Sequence, residues 1–77
     1  MKFFLYGYAR NDYEKIIDLR EVSILASPHE LRLISKFLER AAEKIEEGEE
    51  HVHLQDECAE WRKNLPDVVA VSSLVKQ

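Results

Sequence analysis

Little in these 77 residues can cross-link, kink or loosen a chain. One cysteine, Cys58, leaves no internal disulfide and makes the cytoplasm the default compartment. Two glycines and two prolines are too few for a linker or a low-complexity tract, and Gly7 and Gly48 stand too far apart to form a phosphate loop. No apolar run approaches the roughly 20 residues of a membrane span. Residues 1–8 carry one basic side chain and no small-residue cleavage site, so they read as a first strand and not as a signal peptide. Basic residues are also in the minority, 11 against 15 acidic, which argues against nucleic acid as a partner.

What is present is an ordinary globular composition, 45% apolar and 34% charged, at a length that supports one core and no deep pocket. A single α+β domain across residues 1–77 is the expectation. The charge is unevenly placed. Residues 39–60 hold nine acidic and two basic side chains, a net −7, and the remainder holds nine basic and six acidic, a net +3. A solvated helix end explains such a run, and so does a surface that attracts a basic protein by complementary potential.

The pattern along the chain predicts five elements. Residues 2–8 alternate as a strand, with Phe4, Tyr6 and Tyr8 on one face and Phe3, Leu5 and Gly7 on the other. Residues 9–12 are polar and turn-like, and a second extended run covers residues 16–26. Its alternation changes phase, which calls for a bulge or break near Arg20 and Glu21. A hairpin between these two strands is the simplest pairing.

Ser27, Pro28 and Glu30 then spell a helix start: a hydroxyl cap, a proline where no N–H is needed, and a carboxylate three residues after the cap. Leu31, Ile34, Leu38, Ala41 and Ile45 recur at helical steps, flanked by Phe37 and Ala42, until Gly48 stops them. Residues 49–54 are loop or a short extended piece. Leu54, Cys58 and Trp61 suggest a short helix over about residues 55–62, and residues 68–71 read as a buried strand. The architecture expected is a small three-stranded, mainly antiparallel sheet with one long amphipathic helix packed on one face and a short second helix. The aromatic face of the first strand would be the uncovered one.

No constellation for catalysis emerges. Cys58 has no orienting partners and reads as a core thiol, and Trp61 reads as a core plug. The chain is therefore expected not to be an enzyme and to need no cofactor. One cluster could hold a metal: His51 and His53 share a face if extended, and Asp56, Glu57 and Cys58 follow within five residues. The spacing matches no zinc pattern, so a polar segment at the helix end is the plainer account. The surface expected to meet a partner comprises Glu46, Glu47, Glu49, Glu50, His51 and His53, with Tyr6 and Tyr8 forming a second surface.

Several of these segments together carry a resemblance. They are Tyr6-Gly7-Tyr8, Leu19 with Glu21-Val22-Ser23, Ala26-Ser27-Pro28 with Glu30-Leu31-Arg32, Phe37-Leu38 and Ala41-Ala42. The more particular ones are His51-Val52-His53-Leu54-Gln55-Asp56 and Pro66-Asp67-Val68-Val69. Over nearly its full length the chain resembles the small bacterial immunity proteins of polymorphic toxin systems, in particular immunity protein family thirty-two. That resemblance implies a non-enzymatic protein that binds and neutralises a cognate toxin domain, a nuclease being one candidate, in the cytoplasm of the producing cell. It supplies no contact residues. Two other classes stay open: a metal-binding module built on His51, His53 and Asp56, and a homodimeric interaction module.

Overall fold

Ser27 caps the longest helix as its sequence predicts. A computed structural model describes residues 3–61 and 64–74, and within it helix α1 runs Pro28–Glu46. The Ser27 hydroxyl accepts from the Glu30 N–H at 3.2 Å, and the Glu30 carboxylate accepts from the Ser27 N–H at 2.8 Å. Two otherwise orphaned donors are satisfied reciprocally. The backbone hydrogen bond with Ser27 holds the Glu30 carboxyl below its ordinary value. At the other end Gly48 takes φ +110°, a region that disfavours any side chain. Its N–H reaches the Ile45 carbonyl at 3.1 Å, and the Glu49 N–H reaches that of Lys44 at 3.0 Å, so the last carbonyls are closed by the usual glycine-terminated motif.

Four short strands and one short helix complete the α+β fold. Strand β1 is Tyr6–Ala9 and β2 is Asp12–Asp18; β3 is His51–His53, the one-turn helix α2 is Leu54–Glu57, and β4 is Val69–Val71. The expected hairpin forms, with β1 antiparallel to β2 in the register Tyr6↔Asp18 and Gly7↔Ile17, and an irregularity between Gly7 and Ala9. Past the strand ends, the Leu19 N–H donates to the Leu5 carbonyl at 2.8 Å. β2 stops before Arg20, near the predicted break in phase. Both elements are shorter than expected: β1 begins at Tyr6, after residues 3–5, and α2 ends at Glu57, before residues 58–61, while Lys2 and Arg62 themselves lie outside the described residues.

The sheet itself corrects the expectation. Instead of one three-stranded sheet there are two sheets of two strands each, β1–β2 and β3–β4. The last strand pairs with His51–His53, in the register His51↔Val71, Val52↔Ala70 and His53↔Val69, and not with the hairpin. Proximity explains the choice. Gly48 turns the chain at the end of α1, and β3, which follows three residues later, packs on the helix. β4 then adds to β3, extended on one side by Ser72 donating to the Glu50 carbonyl at 2.9 Å and on the other by Leu54 donating to that of Val68 at 2.8 Å. Residues 21–26, read as part of the second strand, form no ladder.

The core lies wholly on this side of the molecule. Ile34, Phe37 and Ala41 of α1 bury against Val52 and Leu54, with Ile45, Cys58, Trp61, Val68 and Ala70 packed around them. Cys58 and Trp61 thus take the core-facing places expected of them, and the Trp61 indole N–H finds the Pro66 carbonyl at 2.9 Å. The helix seam is rotated from the expected one. Leu31 and Leu38, counted as core by spacing, are 45% and 51% exposed, because the β3–β4 pair is too narrow to reach that flank.

Candidate partner-binding surface

The end of α1 concentrates carboxylates where a helix least favours them. Aligned peptide dipoles leave the C-terminus negative, and a carboxylate there is unfavourable by roughly 0.3–1 kcal/mol. Yet Glu43, Glu46, Glu47, Glu49 and Glu50 crowd this end, with Lys44 as the basic residue of the last turn. Lys44 does not relieve them. Its Nζ lies 2.7 Å from Glu57 on α2, and Arg40 Nε donates to the same carboxylate at 3.0 Å. Those two hydrogen bonds, the Lys44 one foremost, hold the Glu57 carboxyl below its ordinary value. Both basic residues of the acidic segment are therefore spent on Glu57. Glu60 in turn accepts from His29 Nε2 at 2.9 Å.

Glu46, Glu47, Glu49 and Glu50 remain exposed, with no ion pair among the described residues. An open cleft beside them is lined by Arg40, Glu43, Lys44, Glu47, Gly48 and Glu49. The predicted acidic residues are thus brought together by the Gly48 turn. The two histidines divide. His51 and His53 do share a face of β3, on either side of buried Val52, and His51 is exposed next to Glu50.

His53 has a different task. Its Nδ1 donates to Asp67 Oδ2 at 2.7 Å, while the other Asp67 oxygen accepts from the Gln55 N–H at 3.1 Å. Residue 53 stands at the N-cap of α2 and supplies no cap of its own, so Asp67 caps that helix from across the fold. One carboxylate joins β3, α2 and the approach to β4. Sequence reading placed the His-x-His and Pro-Asp segments in one resemblance and missed that they touch. The signal was available, since an acidic residue just before a strand suits the positive end of a nearby helix.

With His53 so held, the metal reading finds no support from geometry: among the described residues no group of three His, Cys, Asp or Glu side chains converges on one point. Of the second expected pair, Tyr8 is 52% exposed and Tyr6 is half-buried on β1. No helix among the described residues is long and apolar enough to cross a membrane.

A family model described as Immunity protein 32 matches residues 21–72, about two thirds of the chain. The chain belongs to the Immunity protein 32 family. No curated protein and no solved structure matches it. The matched stretch spans α1, β3, α2 and β4, so every residue of the packed core lies within it. It begins after the hairpin. Tyr6-Gly7-Tyr8 and Leu19, which entered the resemblance, lie outside it.

Proposed function

We propose that this protein neutralises a cognate toxin domain by binding it through the acidic end of α1, at Glu46, Glu47, Glu49, Glu50 and His51. The observation that carries the reading is a cluster of exposed carboxylates, without an ion pair among the described residues, kept at the negative pole of a helix in a member of an immunity protein family. A fold selected for stability alone would place lysines there. Such a surface suits a toxin with a basic face, as a nuclease presents, because opposite potential speeds encounter and excludes mismatched partners. The action is occlusion, requiring no catalysis and no cofactor, and its place is the cytoplasm where the toxin would act.

The test is growth of a sensitive host expressing the toxin encoded beside this protein, with and without co-expression. Relief of toxicity is the expected result. Reversing Glu46, Glu47, Glu49 and Glu50 to lysine should abolish that relief and slow association in a salt-dependent way. Full protection by the reversed protein would move the contact surface elsewhere, and a harmless neighbour would remove the toxin reading.

A further inference from the structure

Arg40 and Lys44 stand one turn apart on one side of α1, and both reach across to a single carboxylate on α2. Arg40 Nε lies 3.0 Å from Glu57 Oε1 and Lys44 Nζ lies 2.7 Å from Glu57 Oε2, so each oxygen takes one cation. The Glu57 side chain is only 15% exposed. The core sets its position. Leu54, three residues before it on α2, is fully buried, and Asp67 holds the Gln55 N–H at 3.1 Å.

The same two cations have other partners along their own helix. Glu43 follows Arg40 by three residues and Glu47 follows Lys44 by three, the spacing at which opposite charges meet on a helix surface. All four side chains line the open cleft of about 410 Å³ at the end of α1. Neither Arg40–Glu43 nor Lys44–Glu47 is an ion pair, however, and among the described residues both cations pair with Glu57 alone. Exposed pairs along a helix are weak, and charge-assisted hydrogen bonds to a largely covered carboxylate prevail over them. Glu43 and Glu47, four residues apart and mutually repelling, thus line the cleft without a cation from their own helix.

A basic side chain that reaches either carboxylate from outside therefore has no resident cation to displace. We propose that Glu57 is a positioning residue of the toxin-binding surface: it holds Arg40 and Lys44 against α2 and so keeps Glu43 and Glu47 open to arginine and lysine side chains of the toxin. This role rests on the toxin reading and adds Glu43 to the contact, while Glu57 itself touches no partner.

Binding of the toxin domain encoded beside this protein, measured by calorimetry at low salt, tests it. Glu57→Gln frees both cations to pair with Glu43 and Glu47. Glu60→Gln is the control, since it removes the same charge from the same segment without touching Arg40 or Lys44. Two exposed helical pairs must then be broken on binding, so Glu57→Gln should weaken it about two- to fivefold beyond Glu60→Gln. Adding Lys44→Gln to Glu57→Gln should regain part of that loss, and more than Lys44→Gln gains in the native chain. A purely structural role for Glu57 gives no such rescue. In the toxin-free protein, NOE contacts of the Lys44 side chain should be with Glu57 in the native chain and with Glu47 in Glu57→Gln. The helical circular dichroism should stay native; if Glu57→Gln disturbs it, Glu57→Asp, which keeps the charge and shortens the reach, replaces it. Equal losses for Glu57→Gln and Glu60→Gln overturn the inference, as does an additive cycle with Lys44 or a Lys44 side chain that keeps its place. A native chain that binds no such toxin removes the toxin reading and this role with it. Native binding with an additive cycle removes this role alone.

Discussion

Two regions of the molecule behave in opposite ways, and the more apolar of them buries less. From Pro28 onward, a helix, two three-residue strands and a single helical turn bury Ile34, Phe37, Ala41, Val52 and Leu54 around one centre. Before it, a hairpin of longer strands contributes no buried residue at all. Regular hydrogen bonding is therefore no guide to where the core lies. What separates the regions is amphipathicity. α1 and β3 each have one apolar side and can close on each other, whereas in the hairpin neighbouring Ile16 and Ile17 fall on opposite faces among Asp12, Glu14, Lys15 and Asp18, so no single neighbour can cover both.

Leu54 tests the contrast most severely. It is fully buried, so Leu54→Ala should cost about 2–5 kcal/mol in denaturant unfolding. Ile16→Ala, measured on dilute protein, should stay within about 0.5 kcal/mol. Comparable losses at both positions would mean the hairpin has a place in the core. Asp67→Ala comes next. It strands the His53 Nδ1–H and uncaps α2, and with charge-assisted hydrogen bonds at about 1.5–3 kcal/mol each, the loss should lie in that range. Asp67→Asn should recover part of it.

Ser27→Ala removes half of the capping box and should cost about 1 kcal/mol, seen as reduced helix content on mild heating. The acid side of the stability profile carries a smaller effect. The folded Glu57 carboxyl is lowered by its bonds to Lys44 and Arg40, so its contribution is present above the ordinary value of 4.5 and is lost as the pH falls through the depressed one. Glu57→Gln should flatten melting temperature against pH on that side and leave the profile above pH 7 parallel to that of the native protein. An unchanged acid slope would show that the pair contributes nothing. Smallest of all should be the effect of deleting residues 1–20 on the far-UV signal of α1, since none of them packs in its core.

Much of this was legible before any coordinates. Ser27-Pro28-Glu30 and Gly48 mark both ends of α1 because caps are local chemistry, readable from four residues without knowing the fold. The acidic surface was legible for the same reason, as a run of neighbours in sequence. The hairpin was found through its alternation. Strand partnership was not, since nothing in Val69-Ala70-Val71 says whether it joins the hairpin or His51–His53. That choice depends on how far the Gly48 turn carries the chain back along the helix. Leu31 and Leu38 misled for a related reason: helical spacing gives the width of an apolar stripe, and only the breadth of the opposing sheet decides how much of it is covered. His53 looked like a ligand because its partner, Asp67, is 14 residues away.

The pairing of β4 with β3 has a consequence for how the protein is made. The seam of α1 is finished by residues 68–70, while α1 itself is complete at residue 46. During synthesis Val52 and Leu54 emerge soon after α1 is complete, and the cover they begin is finished only when residues 68–70 follow. A message truncated before Val69 yields a core left open along one side, which chaperones and proteases would meet first.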